Sequence, residues 1–108
     1  MNKFDLGDRA TMAQAAQEAT SYLRAIANPS RLMLLCELWE QERNVGELEE
    51  SLGMSQAYVS QQLARLRAEG LVKGRRDGRV VYYSLADEWV RPMISLLYEQ
   101  FCEKDAAA

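Results

Sequence analysis

The chain has 108 residues, a formal charge of −3, 48% apolar residues and two prolines. That composition allows one domain with one modest core and excludes a disordered tail or a collagen-like rod. Histidine is absent and the two cysteines lie 66 positions apart, which excludes Ser–His and Cys–His catalysis, His-ligated zinc, imidazole pH switches and a CxxC redox motif.

No apolar run approaches the ~20 residues that cross a bilayer, and the start MNKFDLGDRA holds no signal-peptide core. The expected compartment is the cytoplasm, with no membrane partner. From Thr11 to Ala27 the apolar residues Met12, Ala15, Ala16, Ala19, Tyr22, Leu23 and Ile26 recur every three or four positions, the stripe of an amphipathic helix. Asn28-Pro29-Ser30 breaks that helix and opens the next, with Asn28 as N-cap and Pro29 at the tolerated first position. This second helix is expected to reach about Gln41 and to turn Leu32, Leu35, Cys36 and Trp39 inward.

Asn44-Val45-Gly46-Glu47 reads as a capping box opening a short helix, with Val45, Leu48 and Leu52 buried and Gly53 as terminator. Ser55 caps the helix that follows, which reaches Glu69 before Gly70 supplies a left-handed stop. Two helices joined by a short turn containing Gly match a helix-turn-helix. Leu71–Arg76 and Arg79–Leu85 are β-rich runs around Asp77-Gly78, which suits a two-residue hairpin turn. A last helix, starting between Glu88 and Pro92, carries Val90, Met93, Ile94, Leu97, Phe101 and Cys102. Trp89, Leu96 and Tyr98 widen its apolar face beyond what one small core covers. The expected fold is one domain over 1–108, mainly α with a small β-hairpin, in the order ααααββα. This is a winged helix-turn-helix.

On the helix of about 55–69, a buried stripe of Val59, Leu63 and Leu66 places Ala57, Gln61 and Ala64 opposite, flanked by Ser60 and Arg65. Two alanines let a backbone approach closely. Gln56, in the first turn, and Gln61 can pair with base edges, adenine above all. In the wing of about 71–85, Arg75, Arg76 and Arg79 suit phosphate or minor-groove contacts, with Lys73 in support. The charge distribution agrees with this: residues 55–83 carry +4 and the remainder −7, as when one face of an acidic body meets phosphate.

Leu48 to Asp87, LEESLGMSQAYVSQQLARLRAEGLVKGRRDGRVVYYSLAD, resembles the ArsR/SmtB family of bacterial repressors, and weaker similarity covers almost the whole chain. ANPSRLMLLCEL resembles the family's second helix. The resemblance implies a homodimer held by helices of about 10–27 and 88–103. It also implies repression through an imperfect palindrome in double-stranded DNA, read by Ser55, Gln56, Ser60, Gln61, Arg65 and the wing cations. The family's metal sites do not carry over, because Asn44, Val45 and Gly46 occupy one and the other lacks histidine. No metal and no cofactor are expected.

Cys36 in the second helix and Cys102 near the end of the last resemble the sulfide- and persulfide-responsive BigR/SqrR/HlyU-like subgroup. That likeness implies that reactive sulfur species link the two thiols and release DNA. If their Cα atoms lie beyond the roughly 4.4–6.8 Å of a disulfide, a longer sulfur chain is favoured over a direct bond. Local sequence predicts slow thiols, since Glu99 and Glu103 flank Cys102 near a helix C-terminus. Three alternatives stay open: a sensor of thiophilic metals, metalloids or general oxidants through the same cysteines, a thiol oxidoreductase, and a protein-interaction module. The second lacks any device that lowers a thiol pKa, so a catalytic role is not expected. Steep salt dependence of DNA binding would separate the third.

Overall fold

A computed structural model describes residues 8–86 and 89–103. The chain start, residues 87 and 88 (the latter the earliest start expected for the last helix) and the Glu103 side chain lie outside the described parts. Helix α1 spans Arg9–Ile26 and begins earlier than its apolar stripe, because the Asp8 carboxylate accepts from the Thr11 backbone N–H at 2.7 Å. Only Ala25 of this helix is buried, while Tyr22 and Ile26 pack at the edge of the core. Met12 and Leu23 remain exposed.

Helix α2, Pro29–Glu37, opens as expected: Asn28 Oδ1 accepts from the Arg31 N–H at 3.0 Å, and Pro29 occupies the first turn. It ends four residues short of Gln41, and its inward face differs from expectation. Leu34, Leu35 and the capping Leu38 are buried, Leu32 is half-buried, and Cys36 and Trp39 are exposed. The cause is a run of seven apolar residues among positions 32–39, which leaves the rotational phase of a short helix undetermined. A two-residue strand β1, Arg43–Asn44, follows and was not expected.

Asn44 also caps helix α3, Val45–Leu52, through a reciprocal box with Glu47 in which both bonds are 2.9 Å. Gly53 closes α3 at φ +66°, a left-handed position where glycine carries no Cβ penalty. Helix α4, Gln56–Ala68, buries Val59, Leu63 and Leu66 as its spacing predicts, and Gly70 turns the chain at φ +77°. Strands β2, Val72–Asp77, and β3, Val80–Leu85, form the wing, and β1 pairs with the outer edge of β3. Asp77 pairs with Val80. The turn residues are therefore Gly78 and Arg79, one position later than expected, with Gly78 taking φ +66°.

Helix α5, Val90–Tyr98, accepts Pro92 in its first turn and continues as a π-helical turn over Glu99–Glu103. A uniform α-helix was expected there. Val90 and Ile94 are buried, Met93 and Leu97 half-buried, but Phe101 and Cys102 are exposed. Tyr22 and Trp89 meet edge-on at 4.3 Å between ring centroids, which joins α1 to the start of α5. The core gathers leucines from α2, α3 and α4 with Leu71, Val72, Leu85, Val90 and Ile94. Each such side chain contributes roughly 1.5–3 kcal/mol of burial.

Candidate nucleic-acid interface and cysteine cleft

The first turn of α4 is fixed by two hydrogen bonds. Ser55 Oγ accepts from the Tyr58 N–H at 3.2 Å, and the Tyr58 hydroxyl donates to Ser30 Oγ at 3.0 Å, which ties α4 to the start of α2. Gln56, Ala57, Ser60, Gln61, Ala64 and Arg65 are all exposed, on the face opposite the core. The predicted reading face is therefore open to solvent along its length.

Gln62 is the buried polar side chain of α4, and sequence reasoning missed it. Its Oε1 accepts from Arg31 Nη1 at 2.8 Å. The same guanidinium donates from Nη2 to the Arg24 carbonyl at 3.1 Å and from Nε to the Ala25 carbonyl. Arg31 thus satisfies carbonyls at the end of α1 and a side chain in the middle of α4. No local pattern announces this contact, because 31 residues separate the partners.

The wing docks on the C-terminal half of α4. Leu71 N–H donates to the Leu66 carbonyl at 2.9 Å, and a Cβ placed on Gly74 would lie 3.2 Å from Arg67 Nη1. The pairing of Arg75 with Tyr82 and of Arg76 with Val81 puts the two arginines on opposite faces of the ribbon. Arg76 shares its face with Gly74 and the buried Val72. Arg75 shares its face with Lys73, and it is not a free cation. Its Nε and Nη2 reach the two Glu42 carboxylate oxygens at 3.2 and 2.5 Å, and its guanidinium lies 5.0 Å from the Tyr82 ring centroid. This pairing holds the Glu42 carboxyl below its ordinary range and raises the arginine further. Arg79 sits in the turn itself. The expected cations are present, but they are spread over two faces and a tip.

Cys36 and Cys102 line one cleft of 790 Å³ between α2 and the end of α5. Its walls are largely apolar, with Leu32, Trp39, Leu97 and Phe101 among them, and Glu37 and Arg43 supply charge. Arg91 holds the wall residue Trp39: its Nη1 donates to the Trp39 carbonyl at 2.7 Å and its guanidinium lies 5.2 Å from the Trp39 ring centroid. Desolvation pushes the Cys36 thiol above its ordinary value, and repulsion from Cys102 and Glu37 adds to it. Both cysteines are free thiols. Among the described residues no group of three or more Cys, Asp or Glu side chains is placed to hold a metal ion, and no helix is long and apolar enough to cross a membrane.

Residues 28–73 match the family described as bacterial regulatory protein, arsR family. The biofilm growth-associated repressor of Xylella fastidiosa is 38% identical over 93% of this chain and 88% of its own length. Transcriptional activator HlyU of Vibrio cholerae is 41% identical over 85% of each chain. The structure of reduced HlyU from Vibrio cholerae superposes with a TM-score of 0.79 at 42% identity, covering 84% of this chain and 96% of that one. The BigR repressor from Xylella fastidiosa superposes with a TM-score of 0.76 at 38% identity, covering 90% and 96%. With an open recognition helix, a cationic wing and these relatives, the chain belongs to the arsR family of bacterial regulatory proteins: it is a winged helix-turn-helix, DNA-binding transcriptional regulator and not an enzyme, of the kind that works on operator DNA as a homodimer.

Proposed function

We propose that the protein is a repressor released from its operator when reactive sulfur species link Cys36 and Cys102. One observation carries this reading: the two thiols line the same cleft although 66 positions separate them in sequence. The reagent is a polysulfide. Each thiolate attacks one of its internal sulfur atoms, the two outer groups leave as thiols, and the remaining sulfurs bridge the cysteines. The cysteines are oxidised as the polysulfide is reduced, so no other oxidant is needed.

DNA is held by α4 and the wing. Gln56 and Gln61 read base edges, Ser55, Ser60 and Arg65 contact the backbone near them, and Lys73, Arg75, Arg76 and Arg79 supply phosphate contacts. Two recognition helices must enter successive major grooves about 34 Å apart, and the helices that pair the protomers set that distance. A bridge between α2 and the end of α5 needs to bias this geometry by only about 2.7 kcal/mol to lower affinity a hundredfold.

The test uses a duplex selected from a random pool by the reduced protein. Polysulfide should release the wild-type protein from it, while Cys36→Ser and Cys102→Ser should bind normally and stay bound. Mass spectrometry of the released protein should show a Cys36–Cys102 crosslink with added sulfur, about 32 mass units per atom. Normal release of either serine variant would overturn the two-thiol reading.

A further inference from the structure

We propose that Glu42 is a built-in competitor of DNA phosphate for wing residue Arg75, and that it sets how tightly the wing grips a duplex. The inference rests on the wing contacting DNA. It concerns a residue on neither the recognition helix nor the hairpin.

The two Glu42 oxygens face Nε and Nη2 of Arg75 at 3.2 and 2.5 Å. A phosphate presents two oxygens to a guanidinium in the same forked arrangement. Glu42 therefore occupies the donor edge that a phosphate would need. The carboxylate is held in place by the sheet: Arg43, the next residue, pairs with Tyr83, and Asn44 pairs with Tyr82, whose ring packs against the Arg75 guanidinium. Arg76 and Arg79 have no carboxylate partner among the described residues. Among the described residues the wing thus carries two arginines without an acidic partner and one whose charge is already matched. Before Arg75 reaches a phosphate it must break the pair, and the released carboxylate then repels the same strand.

The expected effect is modest because both side chains are open to solvent and screened by salt. At low salt Glu42→Gln should tighten binding to a random-sequence duplex about two- to fivefold. Such DNA suffices because phosphate contacts are sequence-independent. Fluorescence anisotropy is measured for the wild type, Glu42→Gln, Arg75→Gln and the double variant, with thermal melts confirming that each folds. The gain from Glu42→Gln should vanish in the Arg75→Gln background, and Arg75→Gln should weaken binding more when Glu42 is already replaced.

An equal gain in both backgrounds would mean that Glu42 acts only as a distant negative charge, and the competitor would be refuted. Weaker or unchanged binding by Glu42→Gln, with Arg75→Gln still weakening it, would also refute the competitor and leave the wing contact standing. If Arg75→Gln has no effect in either background, the wing contact of Arg75 is itself wrong.

Discussion

Arg31 Nη1 donates to Gln62 Oε1 at 2.8 Å, and this bond joins the start of α2 to the middle of the recognition helix. The remaining donors of the guanidinium hold the Arg24 and Ala25 carbonyls at the end of α1. Truncation of Arg31 leaves a buried amide and two helix-end carbonyls without their donor. Arg31→Ala should lower stability by about 1–3 kcal/mol in urea unfolding. Gln62→Leu removes the group that Arg31 satisfies, so the two changes should not add. Additivity within about 0.5 kcal/mol would show that the pair is not coupled.

Desolvation first, then repulsion from Cys102 and Glu37, raises the pKa of the Cys36 thiol above its ordinary value. Only the thiolate attacks sulfur or an alkylating agent. The alkylation rate of Cys36 in the Cys102→Ser protein should therefore climb steadily with pH past about 8.5, the ordinary thiol value, without a plateau there. The folded-state pKa lies above the unfolded one, so the native state binds the proton more tightly. Its contribution to stability is whole below the unfolded pKa and is lost as pH rises through the folded value. A rate already flat at neutral pH would contradict this.

Leu23 of α1 and Leu96, Tyr98 and Phe101 toward the end of the chain are 56–68% exposed. So much uncovered apolar surface on two helices is the signature of an interface within an assembly. Leu96→Glu or Phe101→Glu should move the protein toward monomer in sedimentation velocity and weaken operator binding at least tenfold. Retention of the dimer by both variants would place the interface elsewhere.

Two glycines around α3 should respond with opposite signs to the same substitution. Gly53 has open space around a Cβ but sits at φ +66°, so Gly53→Ala should cost about 1–2 kcal/mol in backbone strain. Gly46 lies within α3 without a positive φ, and its nearest contact would be Asn44 Oδ1 at an ordinary 3.4 Å. Gly46→Ala should stabilise the fold by about 0.4–1 kcal/mol through the unfolded state. Thermal melts of the two variants decide the signs.

What could be read in advance was local. Asn28, Asn44 and Ser55 each cap a helix through a backbone N–H three residues on, so a few adjacent residues suffice to place them. The stripe Val59–Leu63–Leu66 has polar neighbours that fix its phase, whereas α2 offers apolar residues almost all round and concealed that Leu34 points inward while Cys36 points out. The Arg31–Gln62 and Arg75–Glu42 contacts join residues 31 and 33 positions apart, and nothing in either neighbourhood marks the partner. Strand β1 escaped notice because two residues carry no alternation. For the cysteines, spacing alone was silent; it is the tertiary fold that sets α2 and the π-helical turn after α5 on the walls of one cleft.

The wing and α4 carry the excess of positive charge while the rest of the chain is acidic, which makes the molecule an electric dipole. In the field of a duplex it turns before it touches. An encounter made wing-first is drawn in, and one made with the acidic body is pushed away before time is lost in it. The gain appears as a faster association rate that fades with added salt. It speeds the search for an operator.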